Sequence, residues 1–402
     1  MIMFSELTRN FILRHRFGDV RQLAFSAGNK ENAGVDLPAA MIQIEGRQSI
    51  EKKIPSWFGN DDVVYPRHLS LEQCSSEWTA RYKTSIVSGK KLVDLTGGFG
   101  VDCAFLSGKF ESVIYVEKQM ELCEIARHNF QVLNHNHIRV RNADAGNFLK
   151  TMLPVDCIYL DPARRSQSGR KIVAISDCEP DVSRLREELL EKSDCVLVKL
   201  SPMLDISLAL QTLPETSEVH VVGVDNECKE LLFLLKKGMV ESPLIVCTDL
   251  KKNGTITQFS YNRKNEKETQ IEYASEVGKY LYEPNASIMK AGAYKSVARE
   301  YNLQKLHPDS HLYTHDNYVS GFPGRVFEME AVTSFNRGEL RSVMKNVEQA
   351  NLSIRNFPVS TERLRKKLKL RDGGNRYLFA TTLSDGKRVL LMCRKEEKGS
   401  GV

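Results

Sequence analysis

The residues best equipped for chemistry are those of Asp94-Leu95-Thr96-Gly97-Gly98-Phe99-Gly100. An acidic residue closes the apolar pair Leu92-Val93, and three glycines follow within four positions of Thr96. That pattern predicts a strand running into a tight turn whose backbone passes close to a ligand. A Cβ there would block both positive φ angles and close approach. Spacing excludes two phosphate-binding patterns. Counted from Gly98, a G-x-G-x-x-G/A dinucleotide fingerprint needs Gly or Ala where Cys103 stands. A P-loop needs Gly-Lys followed by Ser or Thr, a tripeptide absent from the chain. What remains is an acidic-then-glycine turn suited to a nucleoside-bearing ligand.

Three further apolar runs end in acids, at Glu117, Asp144 and Asp161. Ligands of open α/β sheets sit outside the carboxyl ends of the strands, so four acids would line one crevice. S-adenosylmethionine would give three of them a task. Asp94 would steady the turn with Thr96, Gly97, Gly98 and Gly100 and attract the ligand's ammonium group. Glu117, 23 residues on, would accept both ribose hydroxyls, and Asp144 the adenine exocyclic amine. Asp161 opens the second candidate segment, Asp161-Pro162-Ala163-Arg164-Arg165. A proline after a strand-end acid fixes the loop, so that side chain and carbonyls are directed into the cleft. Asp161, Pro162 and Arg164 are therefore the candidates for acting on a substrate. Many nucleic-acid methyltransferases carry Asp/Asn-Pro-Pro followed by an aromatic here. This chain has Ala163 and Arg164, leaving stacking on an arginine plane or pairing with a phosphate. Ser201 rather than Cys follows the fifth strand, which disfavours covalent C5 chemistry on uridine. Transfer to an amine or ring nitrogen needs mostly positioning. There is no G-x-S-x-G elbow and no H-E-x-x-H. His135 and His137 read as a loop between helix and strand, and no metal is expected.

The elements that must position these residues follow from periodicity. Phe11–Ala27, Ala39–Glu51 and Ser70–Val87 read as helices. From Lys90 to about Asp249 strands and helices alternate, the signature of a mostly parallel, doubly wound sheet. Seven strands are expected: 91–95, 112–116, 138–141, 155–160, 195–200, 218–224 and 244–248. The fold class is thus α/β, a Rossmann-like seven-stranded sheet with an N-terminal helical region and small C-terminal α+β units. Those units bring a strand near 280, a helix through Ile288, Ala293, Val297 and Ala298, strands at 312–313 and 325–332, then helix, strand (351–356) and a basic helix (361–368). A hairpin of 377–382 and 388–394 closes them, with Ser384-Asp385-Gly386 as its turn. The boundaries read as 1–72, 73–250, 271–332 and 333–398.

The 402 residues, 41% hydrophobic and 27% charged, suit a soluble multidomain protein. The longest apolar runs, such as Leu231–Leu235, fall far short of a membrane span. Arg9, Arg14, His15, Arg16 and Asp19 argue against a secretory leader over residues 1–20. Nine cysteines with no C-x-x-C pair suggest buried thiols in a reducing cytoplasm. The net charge of +6 is concentrated: Thr361–Lys398 holds twelve Lys or Arg against five Asp or Glu, so the remainder is near neutral. A basic tail on a neutral body suggests one polyanion-facing surface, or a solvated helix face.

Taken with Leu160-Asp161-Pro162-Ala163-Arg164-Arg165, the glycine turn resembles that of a bacterial class I S-adenosylmethionine-dependent methyltransferase family with a ferredoxin-like unit and a C-terminal THUMP-like domain. Ser75-Ser76-Glu77 with Ala80-Arg81-Tyr82-Lys83, Tyr280-Leu281-Tyr282-Glu283-Pro284 and Arg325-Val326-Phe327-Glu328 are similar to it too. The resemblance implies S-adenosylmethionine as cofactor and, because THUMP domains bind RNA, a structured RNA such as tRNA or rRNA as substrate. Two alternatives stand beside it: a small-molecule or protein methyltransferase, and a non-catalytic RNA-binding protein.

Overall fold

The computed structural model describes residues 4–25, 33–164, 174–345 and 347–396. The chain divides into two compact units, Met1–Val219 with Glu230–Glu241, and His220–Lys229 with Ser242–Val402.

Unit 1 contains β1 (Lys91–Asp94), β2 (Ser112–Glu117), β3 (Ile138–Asn142), β4 (Cys157–Leu160), the two-residue β5 (Ala163–Arg164) and β6 (Cys178–Glu179), and β7 (Val196–Leu200). It shares β8 (Thr216–Val224) and β9 (Glu227–Leu235) with unit 2. Its sheet runs β8-β9-β7-β4-β1-β2-β3. The β7-β4-β1-β2-β3 core is parallel, and β9 is antiparallel to β7. Every residue of β4 is buried, as are the last three of β1. Strands covered on both faces read as continuous apolar runs, and this is such a sheet. The parallel core matches the expected strands closely. The strand expected at 244–248 is present, as Leu244–Leu250, but the antiparallel strand at 227–235 was not expected. The apolar run 231–235 is its buried half. Asp225 and Asn226, both at positive φ (48° and 66°), make the two-residue hairpin turn that joins β8 to it.

Three helical expectations also change, and the helix expected through Ile288 to Ala298 divides at Gly292 into Ala286–Ala291 and Tyr294–Glu300. Phe11–Ala27 resolves into helices Glu6–His15 and Val20–Phe25, with residues 26–32 outside the described part. Ser70–Val87 resolves into His68–Gln73 and Glu77–Lys83. The break comes where Ser76 caps the second helix by accepting the Thr79 N–H.

In unit 2, β10 (Leu244–Leu250) and β11 (Ile256–Asn262) pair antiparallel. A second sheet is built from β12 (Tyr280–Pro284), β13 (Gln304–Lys305), β14 (Tyr313–His315), β15 (Gly324–Ser334), β16 (Asn351–Arg355), β17 (Arg376–Thr382) and β18 (Arg388–Lys395). Its order is β13-β14-β12-β15-β18-β17-β16. The long β15 pairs with β12 along its first half and β18 along its second. Alternate residues bury two separate cores. Leu281, Phe327, Phe379 and Leu391 belong to one, and Leu352, Leu378, Leu390 and Leu364 of the helix Thr361–Leu368 to the other. That helix is amphipathic. Leu364 is buried while Arg363, Lys366 and Lys367 are exposed.

Candidate active site

The carboxyl ends of β4, β1 and β2 lie side by side in the sheet. Asp94 ends β1, buried, and accepts the Thr96 N–H at 3.0 Å. Burial pushes its carboxyl well above the ordinary range. The chain then bends across β2, and the Gly97 N–H donates to the Val116 carbonyl at 2.9 Å. A Cβ on Gly97 would lie 2.1 Å from Cε2 of the fully buried Tyr115 ring, whose hydroxyl donates to the Gly98 carbonyl at 2.6 Å. Gly98 and Gly100 have φ of 53° and 87°, left-handed values that glycine adopts without strain. Gly100 caps the helix Val101–Ser107. Phe99 is buried against Trp57, ring centroids 5.1 Å apart.

Glu117 ends β2. Its carboxylate accepts the Gly98 N–H at 3.1 Å and the Gln119 N–H at 2.9 Å, one on each oxygen. Each oxygen keeps a lone pair for a further donor, such as a ribose hydroxyl. Asp144 stands two residues past β3, exposed, and caps the helix Ala145–Thr151 through the Asn147 N–H at 3.0 Å.

The Asp161 segment meets the glycine turn directly, because the Asp161 N–H donates to Thr96 Oγ1 at 2.6 Å. Pro162 is buried, and Ala163–Arg164 form β5, held antiparallel to β6. The Arg164 side chain and all of Arg165 lie outside the described residues. Asp161 Oδ2 accepts from Lys199 Nζ at 2.5 Å, and Lys199 also donates to Ser75 Oγ at 3.1 Å. Behind them lies a buried set of charges. Ser75 and Tyr159 hydroxyls both donate to Asp102 Oδ2 at 2.7 Å. The fully buried Lys83 lies between Asp102, at 3.1 Å, and Glu230, at 2.7 Å. Burial alone would lower Lys199, but the Asp161, Asp102 and Glu230 carboxylates hold it well above its usual value. Burial would likewise raise Asp102, yet Lys83 and Lys199 keep it well below the ordinary range.

The sequence reading identified Asp161 but not its partners. Lys199 carried a signal, being the lone charge in Val196-Leu197-Val198-Lys199-Leu200. Ser75, Lys83, Asp102 and Glu230 carried none that spacing alone could reveal, since Lys83 and Glu230 are 147 residues apart. His135 is half-buried rather than solvated and sits 3.1 Å from Ser107 Oγ. Among the described residues no cluster of His, Cys, Asp or Glu could hold a metal, and no helix is long and apolar enough to cross a membrane.

The crystal structure of a candidate methyltransferase from Porphyromonas gingivalis W83 superimposes with a TM-score of 0.87. It is 37% identical to this chain over 99% of this chain and 100% of that one. Residues 280–323 match a ferredoxin-like domain and residues 324–395 a THUMP-like domain. This chain belongs to that methyltransferase family. Two uncharacterized S-adenosylmethionine-dependent methyltransferases of Mycobacterium tuberculosis, from strains CDC 1551 and H37Rv, are each 21% identical over 324 residues. The alignment covers 79% of this chain and 82% of theirs. The methyltransferase thus has the cofactor class that its glycine turn suggests. The turn itself fits it: a cradle that a side chain would fill, flanked by acidic side chains, suits a nucleoside whose sulfonium and α-ammonium are cationic.

Proposed function

We propose that this methyltransferase transfers a methyl group from S-adenosylmethionine to a base nitrogen of a structured RNA, tRNA or rRNA. Asp94, Thr96, Gly97, Gly98, Gly100, Glu117 and Asp144 would hold the cofactor, and Asp161, Pro162 and Arg164 would meet the acceptor. The bound cofactor supplies a methyl group on a sulfonium, activated for direct displacement. The chain then has to bind, orient and exclude water, with little acid–base work.

The observation that carries this reading is the 2.6 Å hydrogen bond from the Asp161 N–H to Thr96 Oγ1. It holds the segment proposed to face the acceptor against the turn proposed for the cofactor, as an in-line transfer would require. The basic helix Thr361–Leu368 supports RNA as the substrate. It presents exposed Arg363, Lys366 and Lys367, with Lys369 just beyond, on the THUMP-like domain. Arg164, at the position where an aromatic would stack a base, favours a second reading in which the acceptor is a small molecule or protein.

The test is incubation with methyl-labelled S-adenosylmethionine and RNA from cells lacking the protein. Label in one modified nucleoside is expected, found by mass spectrometry. Label that enters only non-RNA fractions would establish the second reading.

A further inference from the structure

We infer that Lys199 is a positioning residue for methyl transfer, acting through Asp161. This rests on the reading of Asp161 as the acid that faces the acceptor. Three observations carry it. Lys199 Nζ lies 2.5 Å from Asp161 Oδ2 and 3.1 Å from Ser75 Oγ, so two of its three protons have acceptors at bonding distance. Its side chain is only 12% exposed while that of Asp161 is 33% exposed. The ammonium therefore sits on the protein side of the carboxylate. Asp161 Oδ1 has no protein partner among the described residues and remains for a donor on the acceptor, such as a base N–H.

The ammonium is itself held from behind. Asp102 Oδ2 lies 3.7 Å from it and accepts from Ser75 and Tyr159. Asp102 in turn is tied to Lys83, fully buried between it and Glu230. A lysine taken out of water costs several kcal/mol unless carboxylates surround it. Two lysines among three acidic side chains meet that condition. The break between helices His68–Gln73 and Glu77–Lys83 has its use here, because it brings Ser75 to both Lys199 and Asp102. The chain thus builds a line from the buried interior to one oxygen of Asp161. A methionine at 199 would leave that carboxylate free to rotate into solvent, and an error of about 1 Å in positioning can cost about 100-fold in rate.

The experiment compares Lys199→Met and Lys199→Arg with the wild type in single-turnover transfer to RNA from cells lacking the protein. Cofactor affinity is measured by calorimetry. Lys199→Met should slow transfer about 100-fold with cofactor affinity within about threefold, and Lys199→Arg should recover a large part of the loss. A separate arm needs no activity. In ¹⁵N-lysine-labelled protein the Lys199 ammonium should give a slowly exchanging signal that Asp161→Ala abolishes. Transfer by Lys199→Met within threefold of wild type, or a Lys199 signal indifferent to Asp161→Ala, overturns the inference. A wild type that shows the coupled signal but labels no RNA leaves Lys199 as assigned and refutes the RNA substrate instead.

Discussion

Gly97→Ala probes the cofactor turn with the least chemical change. The new Cβ would lie 2.1 Å from Cε2 of Tyr115, and regaining ordinary contact needs a shift of about 1 Å. Neither side yields readily. Tyr115 is fully buried, packs edge-on to Phe130 at 5.5 Å and donates its hydroxyl to the Gly98 carbonyl. Gly97 is fixed by its own bond to Val116 in β2. Overpacking of this kind costs about 1–3 kcal/mol. For a unit of this size that corresponds to a melting temperature lower by roughly 2–12 °C. The displaced turn carries Gly98, which donates to Glu117, so the carboxylate assigned to the ribose shifts with it. Losing about 1.4–2.8 kcal/mol of binding would weaken S-adenosylmethionine about 10- to 100-fold. Calorimetry and a thermal melt on the same preparation measure both quantities. A variant that binds the cofactor within twofold of wild type and melts within 1 °C of it would refute the packing argument.

Three other outcomes are expected. Asp161→Ala should abolish transfer and leave cofactor affinity nearly unchanged; calorimetry showing both lost together would make Asp161 a structural residue. Neutralising Lys366 and Lys367 should weaken RNA binding uniformly across sequences and reduce the log–log salt slope by about 2, measured by filter binding from low to moderate salt; an unchanged slope would remove the helix from the RNA surface. Burial, with a smaller contribution from Lys305, lowers His311 from its usual 6.5 to about 4, so the native state keeps it neutral where the unfolded chain binds a proton. Its contribution is present above pH 6.5 and is lost as pH falls from 6.5 towards 4. Allowing for its half exposure, about 1–2 kcal/mol of stability should disappear over that window. Denaturant titrations of His311→Phe, which keeps the stack on Tyr294, should show a flatter pH profile; an identical slope would contradict it.

The geometry of the turn proposed for the cofactor was legible because its determinants are local. Asp94, three glycines and Glu117 each close a strand or make a turn, and turns are written in consecutive residues. The basic helix was legible for the same reason, since Leu364 and Leu368, one turn apart among its charges, mark the buried face. The charge cluster behind Asp161 was not. Lys83, Asp102, Lys199 and Glu230 come from two helices and two strands, and only the folded sheet brings them together. β9 was missed because a strand buried along most of its length has no alternation, and its Asp225-Asn226 turn lacks the glycine that marks such hairpins. The helix expected over 70–87 divides because serine caps compete with helix interiors, which an apolar periodicity does not register.

A structure of the protein soaked with S-adenosylmethionine tests the central claim most directly. The account predicts the nucleoside on the Gly97-Gly98 turn, ribose hydroxyls on the Glu117 carboxylate and the ammonium group at Asp94. Density for the cofactor elsewhere, or a turn that stays empty at saturating concentration, would contradict it.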